Sequence, residues 1–265
     1  MRKPMLLCAL LSVPWSEATA AAGVVMVDTG SAHSKEPVID PVMARNAIGQ
    51  GIDLTKANTK PGLRTISLDE SWFVGARLET IKKQLAEQAK NGYYNASDEE
   101  VPDLSRAIAP SPVATNELDR VLEKRYSSMT AIRPKLHAEP ISIHGTRLEA
   151  SRFIEAATAG GWEDGVWTGL ARYFEVPDLG LIKLEEIDFA ASKASVSLIR
   201  ELVTSDVNGR PAIAKTARTP NGRTLVSVAW MTDSMSYSLM LQPLRPDRIH
   251  ENQNSLEALA RRLGR

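Results

Sequence analysis

Apolar residues recur with two different periods along this chain, and the change of period divides it. Val74, Leu78, Ile81, Leu85 and Ala89 share one helical face. Ser67-Leu68-Asp69-Glu70 ahead of them has the form of a capping box, in which hydroxyl and carboxylate each satisfy an orphan backbone N–H. Asn91-Gly92 offers a left-handed stop. The pattern predicts a helix over 67–90. After a proline-containing linker at 101–112, Leu118, Val121, Leu122, Arg125 and Met129 predict a second helix over 116–129. Residues 67–130 are thus expected as a helical hairpin. Residues 133–145 are expected to be extended. Thr146-Arg147-Leu148-Glu149 repeats the capping-box form and predicts a short helix through Ala159, stopped by Gly160-Gly161.

From Trp162 onward the period falls toward two. Val166 to Glu175 and Gly180 to Phe189 read as strands around a turn at Val176-Pro177-Asp178-Leu179. Ser195 to Val203 fits both periods; it is taken as a strand because Asn208-Gly209 then makes a hairpin into 211–218. Thr219-Pro220-Asn221-Gly222 turns into a strand with Val226, Val228 and Trp230 on one face, and Asp233-Ser234 leads to Tyr237, Leu239 and Leu241. A final helix is predicted from Asn254, with Leu256, Leu259, Ala260 and Leu263. The expected class is α+β: an antiparallel β-meander in the C-terminal half, at 131–265, packed by amphipathic helices.

The first residues add a location. Arg2 and Lys3 precede the apolar run Met5 to Val13, Pro14 breaks it, and small residues follow at 18–22. This order is that of a secretory signal peptide over 1–22. The run is too short for a membrane span, which takes roughly 20 residues. Residues 23–66 are poorly periodic and read as an extended N-terminal arm. The only cysteine, Cys8, lies inside the leader, so the processed chain carries no thiol or disulfide. An exported chain of this size without disulfides points to a bacterial periplasm. The chain has 32 basic and 32 acidic residues; losing Arg2, Lys3 and Glu17 leaves a net charge of −1. That balance gives no reason to expect nucleic acid or an anionic membrane surface as partner.

Candidate chemistry is sparse. Val24-Val25-Met26-Val27-Asp28-Thr29-Gly30-Ser31 resembles the active-site loop of aspartic proteases, in which Asp28 would be the catalytic carboxylate. No second such loop occurs, so a bilobal enzyme is excluded and a dimer would be needed to bring two carboxylates together to share a proton. Gly160 to Trp167 sets Trp162 and Trp167 beside Glu163 and Asp164. That set could hold a sugar ring, but the reading favoured is a turn anchored in the core by both indoles with its acids in water. His33, His137, His144 and His250 lack the spacing of a metal site, and no metal or cofactor is expected. Serine-hydrolase, nucleotide-phosphate and dinucleotide motifs are absent.

Asn208-Gly209-Arg210-Pro211, then Val228-Ala229-Trp230, Ser236-Tyr237-Ser238-Leu239 and Leu256 to Leu263 form an ordered series. It looks similar to the C-terminal ends of periplasmic lipoprotein-carrier and sigma-regulator sheet domains. The resemblance implies an apolar groove between sheet and helices that takes acyl chains or a protein partner. The expectation is an exported, non-catalytic binding or accessory protein of the cell envelope, with Trp162, Trp167, Trp230 and Tyr237 as binding residues. The alternative is an aspartic-protease-like or glycan-directed hydrolase.

Overall fold

The computed structural model of the chain describes residues 24–27, 52–53, 62–98, 100–101, 108 and 125–263. Residues 1–22, expected as a signal peptide, and Asp28 lie outside them. The elements, in chain order, are β1 (Val24–Val27), β2 (Gly62–Ile66), α1 (Gly75–Asn91), β3 (Tyr94–Asn95), β4 (Arg125–Tyr126), α2 (Met129–Ile132), β5 (Arg152–Glu163), β6 (Val166–Val176), β7 (Gly180–Asp188), β8 (Ser195–Ile199), β9 (Ser205–Val207), β10 (Arg210–Arg218), β11 (Thr224–Met231), β12 (Met235–Pro243) and α3 (Ile249–Leu263). Short 3-10 turns follow α2 and β8.

A sheet-dominated α+β fold results. Its main sheet runs β3-β10-β11-β12-β7-β6-β5-β4, with β9 also on β10. All its pairings are antiparallel except β3 with β10. A second sheet of three strands, β1-β8-β2, holds both described ends of the expected arm.

Several expected elements differ, each for a local reason. At Ser67 the box does form: Ser67 N–H donates to the Glu70 carboxylate at 2.8 Å, and Glu70 N–H donates back to Ser67 Oγ at 3.3 Å. It closes a turn rather than opening a helix, because Leu68 N–H is held by Glu201 and the next residues, Trp72 and Phe73, are drawn into the core. The helix starts only at Gly75, after an extended Val74, and ends as expected at Gly92 with φ 78°. The predicted helix at 116–129 falls mostly outside the described residues; its described end is strand β4, followed by the four-residue α2. Residues 133–135 are a 3-10 turn rather than extended.

The helix predicted over 146–159 is replaced by β5. Here the box does not close: Glu149 accepts Gly145 N–H at 2.8 Å, Thr146 Oγ1 takes Leu148 N–H at 3.2 Å, and Leu148 is buried, so the chain turns. Pairing with β6 then decides the backbone. Gly160 and Gly161 sit at a break in β5 register between Ala159 and Trp162 instead of stopping a helix. Farther on, β8 does not pair with β10. The Asn208-Gly209 hairpin is real, at φ 54° and 82°, but joins β9 to β10. The final helix starts at Ile249, earlier than expected.

Cross-strand register sorts the main sheet into two faces. One carries Val226, Val228, Trp230, Leu239, Leu241, Ile182, Leu184 and Phe174, in one buried cluster with Leu256, Leu259, Ala260 and Leu263 of α3. The other carries Ile213 and Met231, clustered with Trp72, Phe73, Val196, Leu198 and Ile81 of α1. Both faces are therefore core. Lys215 on β10 lies on the α1 side, in a pocket with Gln84, Gln88 and Tyr94. Burial lowers its pKa to about 8, with Arg77 adding to the effect.

Two outcomes are expected in urea unfolding. A Cβ at Gly180, where φ is 137°, would lie 2.2 Å from the Gln242 carbonyl oxygen. Gly180→Ala should therefore lower stability by about 3 kcal/mol or more, with midpoints measured against wild type. Lys215 has a folded pKa below its unfolded value of 10.5, so the unfolded chain binds more protons between about 8 and 10.5. Its contribution should make stability rise with pH across that window. Part of its surface stays open, which limits the effect to about 1–2 kcal/mol, and Lys215→Met should flatten the slope.

Candidate functional site at the aromatic and charged end of the sheet

The four aromatic residues singled out from the sequence meet at one end of the main sheet, as two pairs on opposite faces. Trp162 and Trp167 are direct partners across β5 and β6, joined by the tight turn Asp164-Gly165 with φ 48° and 88°. Both positive φ values fit a two-residue hairpin loop of the primed kind. The rings meet edge to face, with centroids 5.2 Å apart and planes at 68°. Trp167 is 9 % exposed and acts as the support, while Trp162 is 48 % exposed. Gly161 N–H donates to Thr168 Oγ1 at 2.8 Å, which fixes the strand beneath the pair. Glu163 and Asp164 are neighbours at this tip, so they do not face each other across a cleft.

Trp230 and Tyr237 are partners across β11 and β12, stacked with centroids 5.3 Å apart and planes at 16°. Trp230 is fully buried, contrary to its expected place as an exposed binding residue. The inward face of β11 takes it into the core by the same alternation that buries Val226 and Val228. Only Tyr237 keeps partial exposure.

Beside Tyr237 lies a row of charges that are not among the expected site residues. Glu186 is its direct partner on β7. The Glu186 carboxylate receives Arg172 Nη2 at 2.6 Å, with both side chains almost fully buried. Each also holds the main chain of Ile141: its N–H donates to Glu186 Oε2 at 2.6 Å, and its carbonyl accepts from Arg172 Nη2 at 2.8 Å. Burial raises the Glu186 pKa despite the opposing pull of Arg172. The Tyr237 phenol is likewise raised, first by burial and then by the Glu186 charge. Arg172 Nε has no hydrogen-bond partner among the described residues.

One step along β7, Asp188 Oδ2 meets His137 Nδ1 at 2.9 Å, and Asp188 Oδ1 accepts Ala191 N–H at 2.8 Å. His137 N–H in turn donates to the Trp167 carbonyl at 2.8 Å, and Leu136 forms a parallel bridge to Trp167. Residues 136–137 thus take the lane beside β6 that β7 leaves after Asp188. His137 is the link between the tryptophan hairpin and the acidic end of β7.

The signal for this row is present in the sequence as charges at inward positions of a strand. Arg172 in β6, with Glu186 and Asp188 in β7, interrupts apolar alternation on the face that is otherwise buried. A similar break on the opposite face is the buried pair Lys183–Glu185. His144, the other histidine of this region, bonds Glu149 at the surface and takes no part. Among the described residues no group of three or more His, Cys, Asp or Glu is arranged to hold a metal ion, and no helix is long and apolar enough to cross a membrane. Comparison with protein-family models, curated proteins and solved structures finds no match to this chain.

The buried pair sets a direct expectation. Arg172→Met leaves Glu186 without its cation and should cost about 3–5 kcal/mol in urea unfolding. The double change Arg172→Met with Glu186→Met should recover most of that loss, since well-packed apolar groups replace a desolvated pair.

Proposed function

We propose that this chain is an exported, non-catalytic binding or accessory protein of the cell envelope, which makes contact through the tip of the β5–β6 hairpin. One observation carries the reading: Trp162 is held half in solvent by a second indole in strict cross-strand register. A large aromatic ring supported in this way is a rigid apolar surface, and such rings are the usual anchors of interfaces. Its chemistry suits the apolar face of a sugar ring or an apolar side chain of a partner protein. The leader-like order of residues 1–22 supports a periplasmic location. The likeness of the C-terminal series to periplasmic carrier domains supports the same class of function. Within this reading Trp230 and Tyr237 stiffen the sheet behind the tip instead of touching the ligand. The neighbouring placement of Glu163 and Asp164 gives no support to a glycan-directed hydrolase.

Tryptophan fluorescence titrated with cell-wall oligosaccharides, fatty acids and envelope extracts tests the reading. Binding should disappear, or weaken at least tenfold, in Trp162→Ala, while the urea midpoint moves by less than about 1 kcal/mol. Equal binding by wild type and Trp162→Ala would remove the hairpin tip from the function. Cell fractionation with N-terminal sequencing of the product checks export, with a mature start near residue 23 as the expected result.

A further inference from the structure

We propose that residues 137–145 form a strap that opens and closes over the Arg172–Glu186 pair without unfolding the sheet. This inference rests on the charged row and stands independently of the role given to Trp162.

The strap is anchored at both ends and weakly packed between them. Upstream, Leu136 bridges to Trp167. Downstream, Thr146 and Leu148 are buried. No residue from 137 to 145 is itself buried, and Ile141 and Ile143 pack only partly against the core. What holds this stretch down is mainly polar: His137 on Asp188, and the main chain of Ile141 on Glu186 and Arg172.

Closing the strap has an electrostatic cost. It desolvates a carboxylate and a guanidinium, and it leaves Arg172 Nε without a partner. A buried ion pair gives back little more than its desolvation cost, and an orphan donor costs further free energy. Opening would return both charges to water and give up only a few partly buried apolar contacts. The two states therefore lie close in free energy, as expected for an element that opens locally rather than with the whole fold. Open, the strap uncovers Arg172 and Glu186 on adjacent strands, beside the partly exposed Tyr237 phenol. His137 is the latch, because it is half exposed and bonded to both Asp188 and the Trp167 main chain.

Cys8 is the single cysteine of the chain, so Ile143→Cys combined with Cys8→Ser has one reporter thiol whether or not residues 1–22 are removed. Its labelling by an excess of a soluble disulfide reagent is followed in native buffer and in low urea, alongside amide exchange at Ile141. The expected labelling rate is nearly independent of urea, and it rises about tenfold when His137→Ala is added, while core amides of β7 and β11 keep their protection. Labelling and Ile141 exchange that follow urea with the slope of global unfolding would overturn the strap. So would a His137→Ala change that speeds every amide equally. If Ile143→Cys fails to fold, the Ile141 amide in wild type and His137→Ala decides the matter alone.

Discussion

Burial of the main sheet on both faces is the constraint from which the other features follow. One face of β10, β11 and β12 shares a core with α3, and the opposite face shares a core with α1 and β8. A strand in the middle of such a sheet has no solvent side on which to place a charge. β7 nonetheless carries Lys183 and Glu185 toward one face and Glu186 and Asp188 toward the other. Each is therefore paired: Lys183 with Glu185, Glu186 with Arg172, Asp188 with His137. A charge left alone at those positions would be penalised by several kcal/mol, which is why pairing is obligatory there.

The same constraint explains why the chain between α2 and β5 is held where it is. Arg172 and Glu186 cannot satisfy all their hydrogen-bonding capacity with each other, so they take the peptide groups of Ile141. The segment is recruited by polar need more than by its own apolar content. At the neighbouring hairpin tip the situation is reversed. Trp162 has apolar surface that the described residues leave in solvent. A polar row that needs covering and an indole that lacks cover thus lie on opposite faces of the same end of the sheet, joined through His137.

The legible parts of the fold were those governed by residues close in sequence. Asn208-Gly209, Thr219 to Gly222 and the alternation of β6, β7, β11 and β12 were all readable, because turn chemistry and period two act locally. Asp164-Gly165 carries the same kind of turn chemistry between Trp162 and Trp167, which the expectation of a helix over 146–159 does not use. The capping box at Ser67 formed its hydrogen bonds without propagating a helix, and the one at Thr146 did not form: Glu149 bonds Gly145 N–H and Thr146 Oγ1 takes Leu148 N–H instead. A box satisfies its own few donors equally well in an isolated turn, and the following residues go where tertiary partners take them. Of the candidate site, the tryptophan hairpin was visible as a glycine-flanked pair. The Arg172–Glu186–His137–Asp188 row was not, because its members come from three separate segments and only strand register brings them together.

The amino-acid order by itself determined the α+β class, the strands of the two hairpin runs β6-β7 and β10-β11-β12, the positions of their tight turns and the leader-like character of the first residues. These depend on periodicity, backbone preferences at Gly and Asn, and simple charge and apolar order. Tertiary structure alone decided that β8 leaves the meander for a sheet with β1 and β2, that Trp230 is core while Trp162 is surface, and that four charges of β7 find partners. Each of those outcomes turns on which face of a strand is covered and by what, and that is a property of long-range packing with no local sequence signature.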